Sequence, residues 1–243
     1  MTAKNKAVVL KLQDVCQSYD GKTRQLQNIS LSLEQGQIGA IMGASGCGKT
    51  TLMRCIAGFE MIDQGRIVVA GREVASSAMQ VPPEFRQVGV VFQDFALFPH
   101  LNLFENIAFG LDHLSLPERR GRVIQLLEAI DLAHKPTALP YEISGGEQQR
   151  VAIARALAPE PQIILLDEPF SNLDDEVRSR MKQSFRVLLK TFGVTALFVT
   201  HDAGDAFDLA DNIGVMQDGR LHQWGPKEEL YFRPQDRVVA EFL

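Results

Sequence analysis

The chain has 243 residues, of which 45% are hydrophobic, and carries a formal net charge of -5. This length and hydrophobic content suffice for one large domain with its own core, and the negative charge argues against a general nucleic-acid binder. Apolar runs are too short to span a membrane, and no signal-peptide core follows the N-terminus. Cys16, Cys47 and Cys55 lack metal-binding spacing and cannot all pair, so we expect reduced thiols and a cytosolic location.

Strand-like runs occupy the N-terminal part of the chain. Residues 8–33 contain two or three of them, with Asp20 and Gly21 as a turn signal. Tyr19 is the aromatic residue of this strand and turn region. Asp218 and Gly219, much later in the chain, give a second hairpin signal between two further apolar runs.

A glycine-rich loop follows the first strands. Residues 43–50 read Gly-Ala-Ser-Gly-Cys-Gly-Lys-Thr and fit the pattern G-x-x-x-x-G-K-[ST]. The run 37–42 predicts a buried strand before the loop, and 49–57 predicts a helix after it. This arrangement lets successive backbone N–H groups wrap a polyphosphate at a helix N-terminus. We expect Lys49 to reach the β and γ phosphates and Thr50 to offer its hydroxyl to Mg²⁺; the alternative is a simple glycine-rich turn.

An unusually aromatic segment comes next. Six of the 14 phenylalanines lie between Phe85 and Phe109, and Phe92 is predicted to be a core residue of a strand. The stretch 95–101 has neither a helical nor an alternating pattern, and Pro99 stops regular structure. Such an apolar loop needs a cover. It either packs under the chain's own helices or receives a partner, with contacts near Phe95, Leu97, Phe98 and Leu101.

The middle of the chain reads as helical. Ser115 and Glu118 form a capping box, Pro117 lies in the first turn, and apolar residues recur at helical spacing through Ile130. We therefore predict a helical insert over about 95–158 within an α/β body. Ser144 and Glu147 fit a second capping box, at the start of the helix that carries Val151.

Two apolar runs in the last third end in polar residues. The run 163–166 predicts a strand buried on both faces, which places Asp167 and Glu168 at its carboxyl end, where open α/β sheets bind ligands. Asp167 would hold Mg²⁺ and Glu168 would polarise an attacking water; the alternative is that two acids merely end a strand. His201 follows the second run, 195–200, and we expect it to contact the γ-phosphate.

These motifs, in this order, resemble the nucleotide-binding subunit of ABC transporters. The resemblance covers nearly the whole chain and rests on the glycine-rich loop, Gln93, the stretch 144–150, Asp167-Glu168, the stretch 171–174 and His201. It implies an α/β fold with a P-loop NTPase core, an antiparallel β subdomain and an inserted α-helical subdomain. The implied boundaries are 1–94 and 159–243 for the core and about 95–158 for the insert.

The family resemblance also implies roles for individual residues. Two ATP molecules would lie in the interface of a head-to-tail homodimer, where the signature of one copy completes the loop site of the other. Gln93 would contact Mg²⁺ and sense the membrane partner, and Tyr19 would stack on adenine. The residues implied to bind nucleotide are Tyr19, Gly43, Ala44, Ser45, Gly46, Cys47, Gly48, Lys49, Thr50, Thr51, Ser144, Gly145, Gly146, Glu147 and Asp174, of which Asp174 would communicate across the dimer. The implied catalytic residues are Glu168, His201 and Gln93, and the implied Mg²⁺ ligands are Thr50, Gln93 and Asp167.

The signature differs from the usual Leu-Ser-Gly-Gly-Gln of the family. Isoleucine at Ile143 preserves an apolar anchor. Glu147 in place of glutamine can still accept a hydrogen bond from a ribose hydroxyl, but it brings a negative charge close to a polyphosphate. Ser144 can cap its helix in the free subunit and meet phosphate in the closed dimer.

The resemblance further implies a prokaryotic importer. Two copies would work beneath separately encoded permeases on the cytoplasmic face of the inner membrane, supplied by a periplasmic or extracellular binding protein. The stretch 42–60 is similar to ferric-iron importers; polyamine, sulfate, sugar or phosphonate import are the alternatives. Relatives usually carry a C-terminal β-rich regulatory domain, so a short form or a truncated chain is expected here.

Three other classes fit the sequence less well. A DNA-repair ATPase of this type would carry a long coiled coil, yet the segment between Gln93 and Ser144 shows no sustained heptads. Translation-associated relatives carry two cassettes in one chain, whereas each motif occurs once here. A nonenzymatic ATP sensor would lack the base that Glu168 supplies.

Overall fold

Two β-sheets and the helices that cover them make up the structure, a computed structural model that describes residues 7–21, 23–171 and 175–243. The strands are β1 (Val8–Ser18), β2 (Arg24–Glu34), β3 (Ile38–Met42), β4 (Gln64–Val69), β5 (Arg72–Ser76), β6 (Met79–Gln80), β7 (Val88–Val91), β8 (Ile163–Asp167), β9 (Thr195–Thr200), β10 (Asn212–Gln217) and β11 (Arg220–Pro226). The helices are α1 (Lys49–Ala57), α2 (Leu103–Ala108), α3 (Leu116–Ala129), α4 (Gly145–Leu157), α5 (Asp175–Phe192), α6 (Ala203–Leu209), α7 (Lys227–Phe232) and α8 (Arg237–Glu241).

The larger sheet has the order β11-β10-β3-β9-β8-β7 and is parallel except for β11. Its residues alternate between two buried clusters: Ile164 and Leu166 of β8 face one, while Ile163 and Leu165 face the other. A parallel sheet covered on both faces needs apolar residues at every position, which explains the continuous apolar runs. The carboxyl ends of β3, β8 and β9 therefore meet at one edge of this sheet.

The smaller sheet has the order β2-β1-β4-β5-β6 and is antiparallel throughout. The turn predicted at Asp20 and Gly21 joins β1 to β2, and Asp20 accepts a hydrogen bond from the backbone N–H of Thr23. The hairpin predicted at Asp218 and Gly219 joins β10 to β11. Helix α1 packs with this sheet in the second buried cluster, to which strands of the larger sheet also contribute.

Helices α2, α3 and α4 lie between β7 and β8, in the segment predicted to form the helical insert. The capping box predicted at Ser115 is present, since the Ser115 N–H donates to Glu118 Oε2 at 3.1 Å. Within the described ranges, no helix combines the length and the apolar character needed to cross a bilayer.

Phe92 corrects one prediction from the sequence. Strand β7 ends at Val91, one residue earlier, and the Phe92 side chain is 39% exposed. Its ring lies 6.0 Å from that of Phe59, which follows helix α1. The chain leaves the sheet at this position, so the continuous apolar run Val90–Phe92 does not correspond to a continuous buried strand.

Candidate nucleotide-binding site

The glycine-rich loop connects the end of β3 to the start of α1. Gly48 is the N-cap of α1 with a φ of 105°, a conformation that favours glycine. At Gly43 an added Cβ would lie 2.1 Å from the carbonyl oxygen of Met216, so no larger residue fits without a backbone shift. The two glycines thus allow the tight path that turns backbone N–H groups and the N-terminus of α1 toward one pocket.

Lys49 is 5% exposed and spans the loop. Its Nζ donates hydrogen bonds to the carbonyl oxygens of Gly43 and Ala44, at 2.7 and 3.0 Å. The ammonium group of Lys49 therefore lies within the curve of the loop, where it can bind a phosphate group. An open pocket of about 340 Å³ adjoins it, lined by Gln25, Ser45, Gly46, Gly48, Lys49, Thr50, Thr51 and Glu168.

Asp167 ends strand β8 beside the first turn of α1. The hydroxyl of Thr50 donates to Asp167 Oδ1 at 3.4 Å. Burial raises the pKa of the Asp167 carboxyl, the Thr50 hydrogen bond partly offsets this, and the neighbouring charge of Glu168 raises it further. Hydroxyl and carboxylate oxygens are the ligands that Mg²⁺ prefers, so this pair fits the ion. In the described part of the chain, no group of three or more His, Cys, Asp or Glu side chains could hold a metal ion.

Glu168 follows β8 in a left-handed conformation, with a φ of 44°. Its backbone N–H donates to the carbonyl of Val199 in β9 at 3.0 Å, and its carboxylate lines the loop pocket. Non-glycine residues with positive φ are uncommon and store strain that the surrounding structure has to support. The turn directs the Glu168 side chain toward the phosphate pocket and away from the core.

His201 and Gln93 approach Glu168 from two sides. His201 Nδ1 lies 3.1 Å from Glu168 Oε2. Gln93 Nε2 donates to Ser171 Oγ at 3.4 Å, and Ser171 Oγ donates to the carbonyl oxygen of Glu168 at 3.1 Å. The structure therefore brings together the residues predicted from three separate motifs. Asp174, predicted to act across a dimer, lies outside the described residues.

Tyr19 lies at the edge of the pocket. Its side chain is 57% exposed, and its hydroxyl is 3.3 Å from Thr51 Oγ1 in the first turn of α1. The aromatic face of Tyr19 is thus open beside the loop. This placement suits an aromatic residue that stacks on a base.

The signature residues form the N-terminus of α4. Ser144 is the N-cap, and its Oγ accepts a hydrogen bond from the backbone N–H of Glu147 at 3.3 Å. Gly145 and Gly146 follow in the first turn. Among the described residues that line the loop pocket, none belongs to 144–147. The structure of one chain leaves this helix N-terminus apart from its own glycine-rich loop.

Lys135 was not singled out by any sequence pattern. Its Nζ donates to Glu147 Oε1 at 2.9 Å, although twelve residues separate the two in sequence. This hydrogen bond, followed by the one from the Ser144 backbone, lowers the pKa of Glu147 from 4.5 to about 2. Glu147 is therefore ionised and paired.

Arg155 near the end of α4 also escaped the sequence analysis. It donates to the carbonyl oxygens of Phe95 and Ala96, at 2.9 and 2.7 Å, and its guanidinium lies 5.3 Å from the centre of the Phe98 ring. Phe95 and Ala96 have φ values of 63° and 45°, so the loop after Gln93 is strained. Arg155 holds this loop in place.

The large apolar side chains of the loop 95–101 are half-buried. Phe95 and Leu97 pack against the larger buried cluster, and the Phe98 ring lies 4.3 Å from that of Phe109. Leu101 is half-buried. The alternative that these residues pack against the chain's own core therefore describes Phe95 and Leu97. A groove of about 680 Å³ runs beside α2 and α3, lined by Asn102, Phe104, Glu105, Arg120, Ile124, Leu127, Glu128, Ala133, Pro136 and Thr137.

The chain is similar to the ATP-binding proteins of several importers. The family model described as "ABC transporter" matches residues 26–171. Over 235 residues the chain is 48% identical to the Fe(3+) ions import ATP-binding protein FbpC of Pseudomonas fluorescens, covering 96% of the chain and 66% of that protein. It is 43% identical to the spermidine/putrescine import ATP-binding protein PotA of Vibrio cholerae, covering 97% and 62%. It is also 43% identical to the sulfate/thiosulfate import ATP-binding protein CysA of Neisseria meningitidis, covering 92% and 63%. The chain thus spans about two thirds or less of the length of these relatives.

Solved structures confirm the predicted fold class. The cbiO1 protein of Clostridium perfringens, described as part of the ABC transporter complex cbiONQ, superposes with a TM-score of 0.85 at 29% identity, covering 93% of this chain and 91% of that one. The ATP-binding cassette MJ0796, solved as a dimer in a post-hydrolysis state with ADP and phosphate, superposes with a TM-score of 0.76 at 32% identity. That match covers 89% of this chain and 98% of the cassette.

Proposed function

Because this chain belongs to the ABC transporter family, we propose that two copies bind ATP head to tail and hydrolyse it to power an importer. The observation that carries the proposal is the position of Glu168. Its carboxylate lines the pocket of the glycine-rich loop and lies 3.1 Å from His201. A carboxylate placed there orients water for attack on a terminal phosphate.

The residues of the site have separate tasks in this proposal. The backbone of 43–48 and the N-terminus of α1 hold the phosphates, with Lys49 as the cation and Thr51 beside it. Thr50, Asp167 and Gln93 hold Mg²⁺, which neutralises phosphate charge when it is bound. Glu168 orients the water, and His201 positions Glu168 and the γ-phosphate.

The second copy supplies what one chain lacks. In the proposed dimer, Ser144, Gly145, Gly146 and Glu147 of one copy close over the ATP held by the loop of the other. The N-terminus of α4 has backbone N–H groups without intrahelical partners and the positive end of the helix dipole, which favour an anion. Tyr19 stacks on the adenine, and Asp174 is assigned to communication between the two sites.

The dimer is proposed to work at the cytoplasmic face of the membrane, as a peripheral partner of permease subunits. The apolar groove beside α2 and α3 is assigned to a short permease helix. Ile124 is 39% exposed there, and the groove begins at Asn102, directly after the loop that follows Gln93. A docked helix would thus act on the loop that connects to the Mg²⁺ ligand. A non-transport ATPase of the same fold would not need this groove.

Ferric iron is the proposed cargo, delivered by a periplasmic or extracellular binding protein. Two similarities support it: the overall similarity to FbpC and the similarity of the sequence of residues 42–60 to ferric-iron importers. PotA and CysA are similar at 43% identity, so spermidine or putrescine and sulfate are the competing cargoes. Uptake of labelled ferric iron, spermidine and sulfate, compared in cells with and without the gene, decides among them. Loss of iron uptake alone supports the proposal, and loss of either other uptake replaces it.

Hydrolysis itself is tested on the purified chain. We expect Mg²⁺-dependent release of phosphate from ATP, lost in Lys49→Ala because the phosphate-binding ammonium is gone. If Lys49→Ala released phosphate as fast as the wild type, the activity would come from a contaminating enzyme, and the assignment of ATP hydrolysis to this site would be wrong.

A further inference from the structure

In the proposed dimer, the N-terminus of α4 receives a phosphate of the ATP held by the partner copy. Glu147 places a carboxylate in the first turn of this helix. Its Oε2 accepts hydrogen bonds from the Ser144 backbone N–H at 2.8 Å and from Ser144 Oγ at 2.9 Å. The N-terminus of a helix attracts anions, but a second negative charge beside it repels them. The chain therefore needs to offset the charge that Glu147 brings to α4.

Lys135 is fixed where it can do this. Its Nζ lies 2.9 Å from Glu147 Oε1, and its side chain is 38% exposed against 19% for Glu147. The backbone around it is held in turns, since Lys135 N–H donates to Leu132 and Lys135 C=O accepts from Ala138, at 3.0 and 3.2 Å. Helix α2 adds a further tie, because the Leu103 N–H donates to Ala138 at 2.9 Å. The lysine is thus part of an ordered segment.

The two oxygens of Glu147 have separate partners. Oε1 accepts a hydrogen bond from Lys135 Nζ, while Oε2 accepts one from the Ser144 hydroxyl. Ser144 can turn its hydroxyl toward a phosphate only if this bond to Glu147 gives way. Withdrawal of carboxylate charge toward Lys135 weakens that bond and lowers the repulsion of an incoming phosphate at the same time.

We propose that Lys135 is a positioning residue that neutralises Glu147 so that Ser144 can engage ATP held by the partner copy. This inference rests on the proposed head-to-tail dimer. It makes Lys135 necessary only because residue 147 is a glutamate. With glutamine at that position there is no charge to offset, and Lys135 becomes dispensable for dimer closure.

The test is a double-mutant cycle in Glu168→Gln protein, in which ATP accumulates the dimer. Sedimentation measures the ATP concentration that gives half-maximal dimer for the parent, Lys135→Met, Glu147→Gln and the combined variant. We expect Lys135→Met to raise that concentration about tenfold or more in the Glu147 background and by less than about twofold in the Glu147→Gln background. Lys135→Arg, which keeps the charge, should behave as the parent.

Two controls separate the possible failures. Lys135→Met should leave the binding of a fluorescent ATP analogue to the monomer unchanged. Thermal unfolding checks that each variant is folded, and Lys135→Gln takes the place of Lys135→Met if the latter does not fold. If the Glu168→Gln parent never forms an ATP-dependent dimer, the proposed function fails. If the parent dimerises but Lys135→Met has no effect, or an equal effect in both backgrounds, the role assigned to Lys135 is wrong.

Discussion

The imidazole Nδ1 of His201 lies 3.1 Å from Glu168 Oε2, across the ends of two adjacent strands. Glu168 is held in a strained backbone conformation, with a φ of 44°, that turns its carboxylate toward the loop pocket. The His201 side chain is 53% exposed, so it can reach a ligand from this position. The two residues act as a unit in the proposed hydrolysis.

Replacement of His201 should therefore slow hydrolysis without weakening ATP binding. We expect His201→Ala to reduce kcat by about 10²-fold or more, because the water-orienting carboxylate of Glu168 loses its partner. His201→Gln, which keeps a hydrogen-bonding group, should lose less. Steady-state hydrolysis and ATP titration give the two quantities. Equal losses in affinity and rate would show that His201 supports the fold of the pocket and not the reaction.

Tyr19 is predicted to contribute binding energy through its ring. Base stacking on an aromatic side chain is worth about 1 to 3 kcal/mol, so Tyr19→Ala should weaken ATP binding roughly tenfold or more. Tyr19→Phe keeps the ring, loses only the contact with Thr51, and should bind ATP nearly as well as the wild type. Titration of each variant with ATP checks this. Wild-type affinity in a folded Tyr19→Ala protein would reduce Tyr19 to a packing role.

Arg155 should stabilise the strained loop after Gln93. Loss of its hydrogen bonds to Phe95 and Ala96 in Arg155→Met is expected to lower the free energy of unfolding by about 1 to 3 kcal/mol. Ala96→Gly is the matched control, because glycine accepts the φ of 45° without strain. Ala96→Gly should lower the free energy of unfolding by less than Arg155→Met does. In the double variant, the loss of stability should be smaller than the sum of the two single losses. Urea unfolding measures all three. Additive losses in the double variant would contradict the assigned strain.

The permease groove gives a prediction about assembly. Ile124→Glu should abolish assembly with the permease while ATP hydrolysis by the isolated protein persists, because a charge enters the apolar groove but no pocket residue changes. Leu116→Glu is the control on the same helix, at a position that is 80% exposed. Co-purification with the permease tests both. Leu97→Glu, by contrast, should destabilise the fold, since Leu97 packs against the buried cluster. Normal assembly and transport by Ile124→Glu would remove the groove from the interface.

Sequence patterns predicted those parts of the site that depend on residues close to one another in the chain. Helix α1 covers the predicted residues Lys49–Ala57, and strand β9 covers Thr195–Thr200. Both follow from glycines, caps and apolar runs that act over a few residues. The motifs also come together, because parallel strands place their carboxyl ends at one edge.

Contacts between distant segments could not be predicted in this way. Arg155 holds a loop about sixty residues earlier in the chain, and no spacing rule links the two. Phe92 looked like a strand residue because it extends an apolar run, yet the sheet ends before it. Lys135 has no motif of its own, and only the three-dimensional path of the segment after α3 brings it to Glu147.

The central claim is that the signature of one copy completes the ATP site of another. Sedimentation of Glu168→Gln protein with Mg-ATP, alone and combined with Ser144→Arg, tests it most directly. We predict that Glu168→Gln forms a dimer with ATP but not with ADP, since hydrolysis no longer releases the trapped state. Glu168→Gln with Ser144→Arg should bind ATP through its intact loop and stay monomeric. Equal dimerisation of both proteins, or a monomer in every case at saturating ATP, would contradict the account.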